Sequence, residues 1–445
     1  MGGYIDSTMG PEVIFYSLAI LLFFVLAGVH IGVALGLTSV IGVYLSYGDM
    51  NIALSILGST AYDAIRSHAL AVIPLFMLMG EIISRSGAAQ DLYLVCERAL
   101  QKLPGRLAVA TVIGNAAFAA VSGVSIAAAA TFSRVAYPEM RRAGYDKSYA
   151  LGVVTGCACL GMLIPPSVLL IVWAILTEGS VGTLFIAGVG PGLLLGLIFV
   201  VYCVVVAVRQ PAIAPSLGQA VERPRSEFRS EMISGMGIVA LVILVLGGIW
   251  LGVFTPTEAA GFGVLGSIVV GWAKGMRWGE FTEAIFNAGR STAPIMFLLI
   301  SGSMYSRLLA VSGGINLIQD LFLGTGLSVI AIILVMTVIW LLLGALIDSI
   351  SIILLTVPIF VPIAVTAGFN EVAFAIYGIL IIEAGLLTPP VGLLVFTVKA
   401  AVPDSSVTLS DIFRGSIPYW LMMLGVATLL LLVPGLATWL PSLVL

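Results

Sequence analysis

The sequence predicts an all-α polytopic membrane protein built from two inverted repeats, and three observations lead to this fold class. Of its 445 residues, 60% are hydrophobic and only 9% are charged, with a mean hydropathy of +1.17. Soluble domains carry about 25% charged residues, so the composition excludes a soluble protein. The other two observations are proline pairs inside apolar segments and an internal repeat.

The proline pairs interrupt the apolar segments 161–167 and 385–392. Each pair removes two backbone donors and disfavours the helical conformation at the preceding residue, so neither segment crosses a membrane as one continuous helix. Interrupted backbone is tolerated in a membrane only where protein or water surrounds it. There its freed carbonyls and half-helix ends form sites for ions.

The internal repeat appears when the sequence is shifted by 224 residues. Matched prolines and glycines in one ungapped register are informative, because each marks a backbone event rather than an apolar face. The shift makes these superpositions: Ser125 on Ser349, Pro138 on Pro362, Gly144 on Gly368, Gly161 on Gly385, and Pro165-Pro166 on Pro389-Pro390.

In the first half, residues 106–142 are weakly hydrophobic, and we predict that they form a re-entrant hairpin. A full membrane span needs about 20 residues per helix, and each arm around the central Ser-Gly sequence is shorter. Residues 1–11 hold no basic residue, which predicts a retained first helix rather than a cleaved signal. The remaining elements follow in order: spans 12–28 and 31–47, an interfacial helix 51–67, a span 69–84, an amphipathic segment 88–103, the broken span 148–178 and a span 182–208.

A linker, 209–231, divides the chain almost in half and holds Arg209, Arg223, Arg225 and Arg229. The second half repeats the plan, with a second predicted hairpin, 326–367, that turns at Asp348. Its other elements are these: spans 233–252 and 257–273, a mixed stretch 276–290, a span 293–310, the broken span 371–399 and a last helix 416–440.

The charges orient these spans. With the N-terminus outside, all basic residues except Arg66 and Arg307 of the 19 fall on the cytoplasmic side, including the linker, as the positive-inside rule requires. Five crossings separate the two hairpins, so the second repeat is inverted. This arrangement is the plan of a secondary transporter whose site lies at the membrane midplane.

Several motifs then resemble a known family: the hairpin sequence 122–125, the sequences 138–140 and 144–145, and the two proline segments, 161–167 and 383–392. Over essentially the whole chain they resemble the large membrane subunit of the TRAP (tripartite ATP-independent periplasmic) transporters. One departure is that Val124 and Ala128 stand where the family's first hairpin often has a second serine and an aspartate.

The resemblance implies sodium-driven uptake of organic acid anions at the bacterial inner membrane, through an elevator-type alternating-access mechanism. It implies two protein partners, a periplasmic substrate-binding protein and a small four-helix membrane subunit, here expected as a separate chain. No cofactor is expected other than Na⁺ as coupling ion, and no nucleic acid. The expected domains are scaffold 1–105, transport domain 106–178, scaffold with the cytoplasmic linker 179–310, transport domain 311–399 and a C-terminal scaffold helix 400–445.

Sodium prefers oxygen ligands, and an unwound helix supplies carbonyls without adding charge. We therefore predict two cation sites related by the repeat. Asp348 is a strong candidate, because an ionisable group at the turn of an apolar hairpin requires a partner. The predicted sodium ligands are Ser122, Gly123, Ser125, Gly161 and Pro165 in the first site, and Asp348, Ser349, Ser351, Gly385 and Thr388 in the second.

The substrate anion needs donors, and neither hairpin tip holds a lysine or arginine. We predict that the half-helix N-termini after Pro166 and Pro390 bind its carboxylate. Glu383, two residues before Gly385, either binds a cation or caps freed amides. The predicted substrate residues are Ser125, Pro166, Ser167, Ser349, Thr388, Pro390 and Val391.

Two alternatives remain open. One is a stand-alone Na⁺- or H⁺-coupled carboxylate symporter, and the other is an intramembrane enzyme that uses Asp348 and Glu383 as an acid pair. The chain has only two histidines and no His-Glu-x-x-His motif, which argues against the enzyme. An ATP-driven pump is disfavoured because the chain has no Gly-x-x-x-x-Gly-Lys loop.

Overall fold

A computed structural model describes residues 12–66, 68–215, 225–324 and 326–444. The secondary structure within these ranges is helical throughout, which confirms the all-α prediction. The predictions made for residues 1–11 and for Arg223 lie outside the described residues.

The first half of the chain forms eleven helices within the described ranges. A 3-10 turn, His68–Ala71, precedes the fourth. Their bounds are α1 (Val13–Leu26), α2 (Ile31–Tyr47), α3 (Met50–Arg66), α4 (Val72–Arg85), α5 (Ala88–Ala99), α6 (Arg106–Ser122), α7 (Ser125–Arg142), α8 (Lys147–Ala158), α9 (Leu160–Leu163), α10 (Val168–Leu176) and α11 (Val181–Arg209).

The second half begins with a helix that runs through a π-helical turn, Ile243–Gly247. The helices of its described part are α12 (Arg225–Val242), α13 (Gly248–Trp250), α14 (Pro256–Ala273), α15 (Trp278–Val311), α16 (Gly314–Leu323), α17 (Val329–Gly344), α18 (Ser349–Thr366), α19 (Glu371–Gly385), α20 (Leu393–Ala401), α21 (Leu409–Leu432) and α22 (Gly435–Val444).

Helix α12 begins at Arg225, inside the predicted linker 209–231, and four other helices also differ from the sequence prediction. The mixed stretch 276–290 and the span 293–310 form one helix, α15, because Pro294 removes only one helical hydrogen bond and does not end it. The last predicted helix is two, α21 and α22, since Pro434 follows the end of α21. Helix α16 has no counterpart in the sequence prediction.

Five helical segments of the described chain are long and apolar enough to cross a membrane, or six if α4 and α5, bent by 67°, count as one span. One of them is the broken segment Lys147–Leu176, in which an apolar stretch of 18 residues is 83% buried inside the protein. A helix that is apolar all round and buried belongs to the interior of a membrane protein. The broken segment therefore lies at the centre of the fold.

The helices pack as two groups. The peripheral group comprises α1–α5 and α12–α16. In it, α1 packs on α2, α14 packs on α4, and α15 packs on α2, α3 and α4. In the central group, which comprises α6–α11 and α17–α22, α21 packs on α8, α17 packs on α19, and α11 packs on α6, α19 and α22. The two groups meet where α4, α5 and α12 contact α6 and where α15 and α16 contact α18.

An aromatic cluster holds the middle of the central group. The ring centroids of Trp173 on α10 and Trp340 on α17 lie 6.2 Å apart, and both rings pack against Phe374 on α19. Gly378 leaves room for them, since a Cβ there would meet both indole rings. The Trp340 indole also donates to Thr356 Oγ1 at 2.8 Å. Helices from both halves of the chain are thus fixed to one another.

Polar contacts join α7 of the first hairpin and the start of α8 to the loop before α21 and the first turn of α21. Tyr137 donates to Asp404 Oδ2 at 2.9 Å, and Lys147 Nζ lies 2.8 Å from Asp411 Oδ2. Hydrogen bonds from Ser406, followed by the one from Tyr137, lower the pKa of Asp404 below its usual value. The first hairpin is therefore fastened at its base to a segment from the other half.

Candidate functional site

The first hairpin turns at Gly123. Its φ of 64° lies in the left-handed region, which glycine adopts without steric cost, so α6 ends there. Val124 is extended, and α7 begins at Ser125. The serines that flank the turn, Ser122 and Ser125, are both buried.

The first helix break packs directly against this turn. Pro166 lies so close to Gly123 that a Cβ on the glycine would approach the Pro166 carbonyl oxygen to 2.8 Å. The Pro165-Pro166 bond is cis, and the N–H of Val168, the first residue of α10, donates to the Gly123 carbonyl at 3.1 Å. Ser167 caps α10, accepting from the Leu170 N–H at 3.4 Å. The hairpin tip and the half-helix start therefore form one unit.

Gly161 completes this contact from the other side of the break. A Cβ at Gly161 would lie 3.2 Å from the Ala119 Cβ and 3.6 Å from the Ser125 nitrogen. The structure thus brings together the residues predicted for the first cation site, from both the hairpin and the break.

The second hairpin turns before Asp348, which caps α18. One carboxylate oxygen of Asp348 accepts from the Ser351 N–H at 3.0 Å, and the other accepts from the Ser351 hydroxyl. This capping arrangement satisfies free amides at a helix start. Asp348 is the predicted sodium ligand that the sequence indicates most strongly. Both of its carboxylate oxygens are hydrogen-bonded within the first turn of α18.

The second break contacts this hairpin through its backbone. The N–H groups of Val391 and Gly392 donate to the Ala345 carbonyl at 3.1 and 3.2 Å. On the other side, Gly344 approaches Gly385 so closely that a Cβ on Gly344 would lie 2.6 Å from the Gly385 Cα. As in the first break, amides that follow the proline pair donate to a carbonyl at the hairpin turn.

The two breaks differ in their exposure. Pro165, Pro166 and Ser167 are buried, whereas Pro389 and Pro390, whose peptide bond is also cis, are exposed. The predicted substrate residues at the second break, Thr388, Pro390 and Val391, are all at least partly exposed. The second break is therefore the more accessible of the two.

Glu383 lies between the two hairpins and is 1% exposed. Its Oε1 accepts from the Ser349 hydroxyl of the second hairpin at 2.7 Å. Ser125 of the first hairpin lies beside the same carboxyl group without an aligned hydrogen bond. The Cys159 thiol, next to the first break, contacts the Glu383 backbone carbonyl at 3.9 Å. One buried carboxyl group thus joins elements from both halves.

Several buried oxygens here have no hydrogen-bond partner within the described structure: the hydroxyls of Ser122 and Ser125 and Oε2 of Glu383. Alkali cations bind oxygen ligands of this kind, so the donor set at the first hairpin fits a sodium ion. At the second hairpin the hydroxyls of Ser349 and Ser351 are already engaged with carboxylates. A cation there would depend on backbone carbonyls.

A cavity of about 490 Å³ adjoins the first hairpin, between the peripheral and central groups. Ser122 and Val124 lie at the hairpin end of its wall, and its charged lining residues are Glu81, Arg85 and Arg134. Glu81 and Arg85 form a local ion pair on α4, with Arg85 Nε 3.6 Å from Glu81 Oε2, and Arg85 also contacts Glu283.

Sequence reasoning placed Arg134 among the charges that set orientation and did not assign it to a cavity. The sequence pattern that could have placed Arg134 beside a cavity is helical spacing. Ala127, Thr131 and Arg134 recur on one face of α7, which leads away from the hairpin tip. The partnership of Glu383 with Ser349 gave no such signal, because the two residues are 34 positions apart.

Comparison with known proteins gives one family. Residues 18–436 match the family described as DctM: Tripartite ATP-independent periplasmic transporter, DctM component. The chain is 32% identical over 416 residues to the C4-dicarboxylate TRAP transporter large permease protein DctM of Pseudomonas aeruginosa, an alignment that covers 92% of this chain and 94% of that one.

Other relatives are named for different compounds. The ectoine/5-hydroxyectoine TRAP transporter large permease protein UehC of Ruegeria pomeroyi is 29% identical, with 85% of this chain and 87% of that protein covered. Among solved structures, the YdaH transporter of Alcanivorax borkumensis aligns with a TM-score of 0.67 at 14% identity, covering 96% of this chain and 98% of that one. That likeness concerns the fold alone.

Proposed function

Because the chain belongs to the DctM family, the large membrane component of TRAP transporters, we propose that it imports organic acid anions across the bacterial inner membrane, driven by sodium. The matching relatives are transporter permeases and not enzymes. A periplasmic binding protein delivers the anion, and a small membrane subunit completes the permease. The relatives named for C4-dicarboxylates and for ectoine support a small carboxylate as substrate.

The single observation that carries this proposal is the meeting of both hairpins and both helix breaks around Glu383. Each break leaves backbone groups unpaired by its own helix inside an apolar fold, and each is completed by the adjacent hairpin turn. Secondary transporters build their ion and substrate sites from such discontinuous helices.

In this proposal the first sodium site comprises Ser122, Gly123, Ser125, Gly161 and Pro165. Its support is the buried, unpartnered hydroxyls of both serines. The second sodium site comprises Asp348, Ser349, Ser351, Gly385 and Thr388. Because its hydroxyls and the Asp348 carboxylate are engaged with one another, we assign its contacts with the ion mainly to backbone carbonyls.

The substrate carboxylate binds between the hairpin tips. Ser125 and Ser349 come from opposite halves of the chain, and both lie beside the Glu383 carboxyl group in this region. The accessible second break contributes Thr388, Pro390 and Val391. Pro166 and Ser167 border the site from the buried first break. The N-terminus of α20, with its positive dipole end, favours an anion at this place.

For the movement, we assign the peripheral group to the scaffold and the central group to the mobile transport domain of an elevator. The packing favours moving α11, α21 and α22 from the expected scaffold into the transport domain, since all three contact the broken helices. The positive-inside charges orient the cavity beside the first hairpin toward the cytoplasm. The linker 209–231 lies on the same side.

Uptake of radiolabelled succinate into proteoliposomes tests the function. The vesicles hold this chain with its small subunit, with and without the cognate binding protein and an inward sodium gradient. Uptake that requires both supports the proposal. Uptake by this chain alone indicates a stand-alone symporter, and uptake driven equally by a proton gradient excludes sodium as the obligatory coupling ion.

A further inference from the structure

The cavity beside the first hairpin holds one cationic side chain that no described carboxylate pairs. Arg85, on α4, is held by Glu81 and Glu283. Arg134, on α7, is exposed and lines the same cavity, and no ion pair joins it to a described residue. Because Arg85 lies between two carboxylates, the unpaired positive charge at this cavity is that of Arg134, on the central group.

The cavity has a polar inner end and a cationic outer end. Its inner end is the Ser122 hydroxyl, which is buried and has no partner in the described structure. Arg134 follows Ser125 by nine residues along α7, which corresponds to roughly 14 Å at the rise of an α-helix. The backbone of Arg134 thus lies about two and a half helical turns from the hairpin tip. Arg134 belongs to the middle of α7, whereas the predicted cation ligand Ser125 begins that helix.

We propose that Arg134 is an anion contact on the release path, which a carboxylate substrate reaches after it leaves the hairpin tips and before it enters the cytoplasm. This inference rests on the proposed function. An unpaired charge at the cavity wall attracts anions over several ångströms, so near Arg134 it favours anions over cations and dianions over monoanions. Arg134 acts as a steering residue and holds no coupling ion.

Reaction rates of a reporter cysteine test the charge preference without requiring transport. Thr131 lines the cavity one helical turn from Arg134. In a Cys96→Ser, Thr131→Cys chain in phosphatidylcholine vesicles, we compare modification by a sulfonate-bearing and a trimethylammonium-bearing methanethiosulfonate reagent. At this spacing and 0.1 M salt, we expect Arg134→Gln to reduce the ratio of the two rates about three- to tenfold.

Two matched variants sharpen the result. Arg134→Lys keeps the charge and preserves the ratio. Arg142→Gln removes the same charge from the same helix at an exposed position paired with Glu139, and it leaves the ratio unchanged. The zwitterionic lipid excludes an anionic headgroup as the source of the preference.

Succinate then connects the anion contact to the substrate. We expect added succinate to slow modification of the Thr131→Cys reporter, and to slow it at least threefold less after Arg134→Gln. A rate ratio that Arg134→Gln leaves unchanged overturns the proposal, as does equal protection by succinate in both chains. Because neither readout needs a sodium gradient, a failure of sodium-driven uptake counts against the proposed function and not against the anion contact.

Discussion

At the scale of single residues, two features shape the candidate site: the close contact between Gly123 and the Pro166 carbonyl, and the buried carboxyl group of Glu383. Gly123 combines a left-handed conformation with contact to the Pro166 carbonyl. Glu383 receives a hydrogen bond from Ser349 while buried in an apolar fold. The first feature is steric and the second is electrostatic, so substitutions separate their contributions.

Gly123→Ala tests the steric feature. The new Cβ adds about 1–2 kcal/mol for the left-handed conformation and also displaces the Pro166 carbonyl. We expect sodium-driven uptake to fall at least tenfold. Gly87→Ala is the control, because Gly87 has a φ of 76° but nothing within 4 Å of its added Cβ. Equal uptake by the two variants, at equal amounts of folded protein, would contradict this account.

Ser349→Ala tests the electrostatic feature. Removing the hydroxyl leaves the buried Glu383 carboxyl without its donor, so we expect the free energy of unfolding to fall by about 1–3 kcal/mol, measured by thermal unfolding in detergent. When Glu383 is also replaced by Gln, the loss of unfolding free energy caused by Ser349→Ala should be smaller. Ser267→Ala is the matched control, since that buried hydroxyl bonds only its own helix at Val264. Equal losses for Ser349 and Ser267 would refute a special contact.

At the scale of helices, the closest packing in the central group joins α8 to α21. The two backbones touch at Gly152 and Gly415, where a Cβ on either glycine would overlap backbone atoms of the other helix. Small residues allow such approach between membrane helices. The first broken segment is therefore in direct backbone contact with α21 at this crossing.

Gly415→Ala tests this contact. The added methyl overlaps the Ser148 carbonyl and forces α8 and α21 apart, so we expect a destabilisation of about 1–3 kcal/mol and a lower midpoint of thermal unfolding. On the same helix, Gly425 has open space around its added Cβ. Gly425→Ala should be neutral or stabilise by up to about 1 kcal/mol through helix propensity. A neutral Gly415→Ala would show that the helices separate freely.

Sequence alone predicts the backbone events of these helices better than their packing. The turn at Gly123 and the helix ends at the two proline pairs follow from local steric rules, and the structure has its helix ends there. The continuity of α15 was not predicted, because its polar first part resembles an interfacial segment. The Glu383–Ser349 bond and the cavity with Arg134 arise from tertiary contacts, for which the sequence carries no local pattern.

At the scale of the whole molecule, the peripheral and central groups touch at the first hairpin. Gly80, on α4, lies against Ser122, and a Cβ on Gly80 would be 3.3 Å from the Ser122 Cβ. If the central group moves as an elevator, this contact must break once in each transport cycle.

A disulfide across the contact tests the movement. The Gly80→Cys, Ser122→Cys pair has a Cβ separation near the range of disulfides, so oxidation should cross-link it. Because Ser122 also belongs to the proposed first sodium site, the reduced double variant is the reference. We expect oxidation to abolish the uptake that the reduced double variant retains, and a reductant to return uptake to that reference level. The control pair Gly237→Cys, Val270→Cys joins α12 to α14, where the Cβ atoms are 4.0 Å apart. Full uptake by the oxidised Gly80–Ser122 pair would exclude relative motion at this contact.

The link between Tyr137 and Asp404 has a consequence for biosynthesis. The two residues are 267 positions apart, and ribosomes add roughly 5–20 residues per second, so the base of the first hairpin waits roughly 10–50 s for its partner. During that interval Lys147 also lacks Asp411. The nascent first hairpin is thus inserted before its base can close, and factors that shield partly folded membrane segments can act on it during that interval.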